Sequence, residues 1–296
     1  MKSFAKTLGL RGAYTKWIAV FGFVLGLQTA FPITSSAVSP TATLAESKGA
    51  QACDFADMAR AKGEFKSAAE LYTRCTEAGH LSVEQKARVL TNRGTAYYRL
   101  GQYDLATNDF SDAVNLNPSL AAAYYNRGLV AYVTDRYDDA VADYSQAIRH
   151  KPDYHEAYCN RGGAYIAMGD YIRAIESATE AINLHPTFAC PFNNRGYAYS
   201  RQGDFQRAIE DYSQAIRINP KLASAYHNRG VAFAKSGKNQ QAISDLSEAL
   251  RLRPDWARAY RNRGDIHSKV GDTESASRDY AEAHRLNPAL GAQPER

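Results

Sequence analysis

The sequence predicts an all-α protein, a solenoid of about seven helix-turn-helix hairpins, and three observations predict it. The tripeptide Asn-Arg-Gly occurs at Asn92, Asn126, Asn160, Asn194, Asn228 and Asn262, always 34 residues apart. Pro118, Pro152, Pro186, Pro220, Pro254 and Pro288 keep the same step. So do two alanine series, one from Ala106 to Ala276 and one from Ala113 to Ala283. Series that share one period imply one structural unit repeated along the chain.

Each unit divides into two helices. In residues 121–152, Tyr124, Gly128 and Ala131 recur at helical spacing, Asp135-Arg136 interrupts them, and Ala140, Tyr144, Ala147 and Ile148 resume the pattern. The glycine lacks a side chain, so the paired helix can approach closely, and the two alanines do the same from the other side. Aromatic residues fill the remaining gaps, which accounts for most of the 20 tyrosines. The proline stops the second helix and sets the turn into the next unit.

Period, Gly, Tyr, both alanines and the proline together resemble the tetratricopeptide repeat over roughly residues 51–288. Six units begin at Ala87, Ala121, His155, Ala189, Ala223 and Ala257 and fill residues 87–288. A degenerate unit over 51–86 precedes them, recognisable from Gly63, Phe65, Ala68, Tyr72 and Cys75. Gly63 and Gly101 are 38 residues apart, so a four-residue insertion is expected around Gly79–Glu84. Two departures are mild: Asp135 replaces the mid-unit glycine, and Asn239 and Thr273 replace the aromatic before the second helix.

Taken in chain order, residues 1–37 read as a secretory signal peptide. Lys2, Lys6, Arg11 and Lys16 come first, then the apolar run Ile18–Leu27, then Pro32 and Ser35-Ser36-Ala37. Cleavage after Ala37 is expected, with Ala45 or an uncleaved anchor facing the periplasm as alternatives. The predicted location is periplasmic or secreted. Residues 38–50 read as a flexible linker. In the last unit Ser277 and His284 stand where earlier units carry apolar residues such as Ile243 and Leu250. Asp272–Leu286 is therefore expected as an exposed capping helix, followed by a short tail over 289–296.

Composition narrows function. A mean hydropathy of -0.47 excludes a multi-span membrane protein. The net charge is +5, but removing the four leader cations leaves 32 basic against 31 acidic residues. Nucleic acid is not an expected partner. No P-loop, Cys-x-x-Cys, His-Glu-x-x-His or Gly-x-Ser-x-Gly signature is present. The repeats take up the space of a catalytic domain, so no enzyme, metal or cofactor is expected. His150, His155 and His185 come nearest to a cluster but fall at hairpin ends.

The arginines of the tripeptide are expected to be structural. Arg93, Arg127, Arg195, Arg229 and Arg263 have an aspartate 16 residues later, at Asp109, Asp143, Asp211, Asp245 and Asp279, whereas Arg161 has Ser177. Intra-hairpin ion pairs are predicted at the five.

The resemblance places all six asparagines in the concave groove. In the repeat arm of O-linked N-acetylglucosamine transferase such asparagines hold peptide backbone, and an amide that both donates and accepts suits that use. Tyr125 and Tyr132, with Tyr98 and Leu129, make one end of the expected groove apolar. Arg258 and Arg261, with Arg201, His227, Lys235 and Lys269, make the other end basic. The expected function is an exported adaptor that holds an extended, partly acidic segment of a partner protein. Glycan binding, or docking of a folded enzyme on the convex face, are the alternatives. Cys53 and Cys75, on the two helices of the degenerate unit, are expected as a disulfide in an exported chain. Cys159 and Cys190 are expected as free side chains.

Overall fold

The structure, a computed structural model, describes residues 44–79 and 81–290. The leader and residues 291–296 lie outside the described residues. Among the described residues seven helix pairs follow one another. They are α1 (Leu44–Ala61) and α2 (Phe65–Glu77), α3 (Val83–Arg99) and α4 (Tyr103–Leu116), and α5 (Ala121–Val133) and α6 (Tyr137–His150). Next come α7 (His155–Met168) and α8 (Tyr171–Leu184), then α9 (Ala189–Arg201) and α10 (Phe205–Ile218). The last are α11 (Ala223–Lys235) and α12 (Asn239–Leu252), and α13 (Ala257–Lys269) and α14 (Thr273–Leu286). A 3-10 turn, Pro288–Leu290, ends the described chain. Among the described residues there is no strand, and no helix is long and apolar enough to cross a membrane.

Two compact units divide within α7, between Ala164 and Tyr165. In the first, α1 to α6 form three hairpins; in the second, α9 to α14 form three more. Inside each unit the second helix of a hairpin packs on the next hairpin's first helix, as α2 does on α3 and α10 on α11. Contacts are therefore local in sequence, and each hairpin gains its stability from its neighbours.

Close approach inside a hairpin depends on the recurring glycine. A Cβ built on Gly128 would lie 2.8 Å from the Tyr144 ring, and one on Gly264 would lie 2.9 Å from Tyr280. Tyr144 is fully buried and has nowhere to move. The turn that follows needs a left-handed residue to satisfy the last carbonyls of the first helix. Gly101 supplies it at φ 73°, and Asp135 supplies it at φ 61°. There the Arg136 amide donates to the Ala131 carbonyl at 2.8 Å, and Tyr137 steadies the Asp135 carboxylate through a 2.8 Å bond. A short polar side chain tolerates this conformation better than most, which is how the exception survives.

Three boundaries differ from expectation or refine it. Helix α1 starts at Leu44, so the second half of the expected 38–50 linker is helical. The insertion is absorbed as one extra turn of α3, which begins at Val83 and has 17 residues against 13 in α5. Ser82 starts that turn as a capping box, its hydroxyl accepting from the Gln85 amide while the Gln85 side chain accepts from the Ser82 amide. At the other end Asp272 caps α14, and Ser277 and His284 are exposed.

Cys53 and Cys75 form a disulfide across the first hairpin, with Cα atoms 5.1 Å apart. Cys159 and Cys190 depart from expectation: both are disulfide-bonded, and no cysteine is a free thiol.

Replacing Gly128 with Ala tests the close approach. Helix propensity alone favours alanine by ~1 kcal/mol. The clash with Tyr144 should reverse this to a net loss of about 1–2 kcal/mol in urea unfolding. A stabilised variant would show that the helices can separate freely.

Candidate functional site

The polar side chains repeated along the first helices meet two different fates. The arginines bind inward. Arg93, Arg127, Arg195, Arg229 and Arg263 each grip their aspartate with two parallel bonds of 2.7–2.9 Å through Nε and Nη2. The remaining Nη1 reaches back to a hydroxyl on the preceding hairpin: Thr73, Ser111, Thr179, Ser213 and Ser247, at 2.9–3.2 Å. Arg161 makes the same reach to Ser145 at 3.3 Å. Ser145, Ser213 and Ser247 in turn donate to the carbonyl four residues earlier, each at 2.7 Å. One guanidinium thus joins three helices with its donors directed at acceptors. Burial pushes the Asp109, Asp143 and Asp211 carboxyls up while the arginine opposes the shift. The pairing in turn raises Arg93 and Arg127.

The asparagines do not form a free ladder. Asn92, Asn126, Asn160 and Asn194 are each no more than 2% exposed; Asn228 and Asn262 are half-buried. Their amides donate to the neighbouring hairpin's first helix. Asn92 bonds Asp57 at 3.2 Å, Asn126 bonds Thr95 at 3.4 Å, and Asn160 bonds the Tyr125 hydroxyl at 2.9 Å. Asn228 bonds Asn193 Oδ1 at 3.3 Å, and Asn262 bonds His227 Nε2 at 3.0 Å. Asn194 donates to Cys190 Sγ at 3.8 Å. A buried donor without a partner costs ~1–3 kcal/mol, so the amide serves as a strut between first helices. Asn228 and Asn262 keep some access to solvent, and the Oδ1 atoms of Asn126 and Asn160 are buried without a hydrogen-bond partner.

The expected aromatic end closes as well. Tyr125 and Leu129 are fully buried and Tyr132 is 6% exposed. Tyr125 stacks on Tyr154 at 4.8 Å, and Tyr132 packs edge-on against Tyr137 at 5.4 Å. Burial raises both phenols well above their ordinary range. They belong to the core.

The basic end divides. His227 is buried and stacks on Trp256 at 4.3 Å, with the Arg253 guanidinium over the same indole at 3.4 Å. Its Nδ1 faces Asn228 Oδ1 at 3.1 Å. Because Nε2 accepts from Asn262, Nδ1 carries the proton. Burial, helped by Arg253 and Arg258, pulls the imidazole down to about 4. Arg261 is engaged too, with Asp265 at 3.1 Å and the Leu290 carbonyl at 2.8 Å. Arg201, Lys235, Arg258 and Lys269 stay exposed. Among the described residues no group of three or more potential ligands gathers around a metal position.

Two signals were readable in the sequence and missed. Ser111, Ser145, Thr179, Ser213 and Ser247 keep the 34-residue step. Asp57, Tyr125, Asn193 and His227, each 35 residues before an asparagine, all carry a hydrogen-bond acceptor.

Models of the tetratricopeptide repeat match residues 91–154, 125–194 and 221–289, and a model described as TPR repeat matches 201–237. The chain belongs to the tetratricopeptide repeat family. Among solved structures, a tetratricopeptide repeat protein from Parabacteroides merdae is similar at a TM-score of 0.67 and 20% identity, covering 81% of this chain and 94% of that one. The APC/C Cut9–Hcn1 hetero-tetramer gives 0.63 at 18% identity over 81% of this chain, which spans only 53% of that one. YrrB, described as a repeat protein with an unusual peptide-binding site, gives 0.53 at 21% identity over 68% of this chain and 99% of that one. No curated protein matches in sequence.

Two measurements test these roles. Asp143→Ala should cost about 3 kcal/mol by leaving Arg127 unpaired, whereas Arg127→Met with Asp143→Leu should recover most of it. Equal losses in the two variants would dismiss the pair as a coupled unit. His227 is neutral when folded, so its contribution is complete above pH ~6.5 and falls away as pH drops towards 4, up to about 3 kcal/mol. His227→Gln should flatten the stability profile of the full chain over that window, and an unchanged profile would refute the burial effect.

Proposed function

We propose that the protein is an exported, non-enzymatic scaffold that holds an extended, partly acidic segment of a partner protein. The contact lies on the open face of α9, α11 and α13. One observation carries this reading. The recurring arginines are engaged within the scaffold and the asparagines are buried or half-buried, whereas Arg201, Lys235, Arg258 and Lys269 remain solvated on these helices. Cations left in water on a near-neutral protein are free to meet carboxylates. The peptide-binding site named for YrrB supports a peptide ligand, and the Cys53–Cys75 bond suits an oxidising compartment outside the cytoplasm. Tyr125 and Tyr132 are buried and offer no stacking surface to a glycan.

The test uses the full chain and a fluorescein-labelled peptide rich in Glu, Pro and Ala, read by polarisation at low ionic strength. Arg258→Glu combined with Lys235→Glu should weaken binding about tenfold or more. Retained affinity in the reversed variant would move the contact off this face.

A further inference from the structure

Helices α9, α11 and α13 lie side by side, α9 against α11 and α11 against α13. Their open faces repeat in three parallel rows, each with a 34-residue step. One row is cationic: Arg201, Lys235 and Lys269, all exposed. The middle row is small: Ser200, Ala234 and Ser268, all at least partly open to solvent. The third is Tyr197, Val231 and Asp265. The acid in it is already neutralised, because Asp265 accepts from Arg261 at 3.1 Å and from the Tyr280 hydroxyl at 3.0 Å. Arg201 is braced by the Tyr197 hydroxyl at 3.1 Å. Lys235 and Lys269 meet no ion-pair partner among the described residues.

Spacing decides what such a face can recognise. Packed helices stand ~8–10 Å apart, which sets the expected spacing of the backbones that carry successive cations. A β-strand returns a side chain to the same edge every second residue, ~6.6 Å, and falls out of step with the helices. A polyproline II segment returns one every third residue, ~9 Å, and stays in step. Its main chain makes no internal hydrogen bonds, which leaves its amides and carbonyls for the Ser200 hydroxyl. The small middle row lets that main chain come close.

We propose that this face selects an extended segment in polyproline II form with carboxylates at every third residue, one per first helix. The proposal rests on the function given above and adds register to it. Proline in the segment strengthens capture by ordering it beforehand.

Three labelled nonapeptides of one composition separate the possibilities in polarisation assays with the full chain. One repeats Glu-Pro-Ala three times, one alternates its glutamates with other residues, and one groups them together. The first should bind about tenfold tighter than the others, and Lys235→Ala with Lys269→Ala should remove that advantage. Lys86→Ala, an exposed lysine on α3, should leave it intact. The salt dependence of binding should also flatten in the double variant. Equal affinity for all three peptides overturns the register and leaves the acidic-segment reading standing. Binding of none at low ionic strength overturns both. An advantage that survives the double lysine variant places the contact elsewhere and overturns the proposal, as does equally tight binding of a short oligothymidylate.

Discussion

The two helices of a hairpin lie close together because the residue between them has no side chain, and that closeness governs the polar chemistry around it. Gly128 admits Tyr144 and brings the second helix within reach of the Arg127 guanidinium, while Asn126 is buried against the preceding first helix. A buried polar group must then find its partner in protein or forfeit stability. The amide finds it on the adjoining first helix and the guanidinium on two second helices. A steric necessity at one glycine therefore sets the chemistry of the arginine before it.

Much of the fold was legible because repetition multiplies a weak local signal. The first helices α5, α7, α9, α11 and α13 start at the residues where the period places them. The insertion before α3 was visible as a change of step, but its form was not. Whether four residues become a loop or a helical turn depends on a cap such as Ser82 with Gln85, whose value shows only once the helix exists. The start of α1 at Leu44 escaped for a similar reason, since a Ser-, Thr- and Ala-rich stretch reads as linker by composition alone.

The site was less legible than the scaffold. A sequence shows that Asn160 recurs; it does not show which way the amide turns, and here it turns to Tyr125. The family resemblance directed attention to a groove, while burial withdrew its asparagines and aromatics and left the cations. His227 shows the limit of reading charge from residue type: among exposed lysines it looked basic, yet desolvation keeps it neutral. The arginine–aspartate row was the easier inference, because two residue types recurring together at one separation carry mutual information that a single conserved spacing does not.

The bond between Cys53 and Cys75 lies in a hairpin that, among the described residues, has a neighbour on one side only. An array stabilised by adjacent units has no distant contact to rescue a weak terminus. That hairpin's core is largely alanine, with Tyr72 its one large buried side chain. Cross-linking removes most of the freedom that fraying would release. In a reducing medium this hairpin would keep only its thin core and its contact with α3, so oxidation serves it as a selvedge serves cloth.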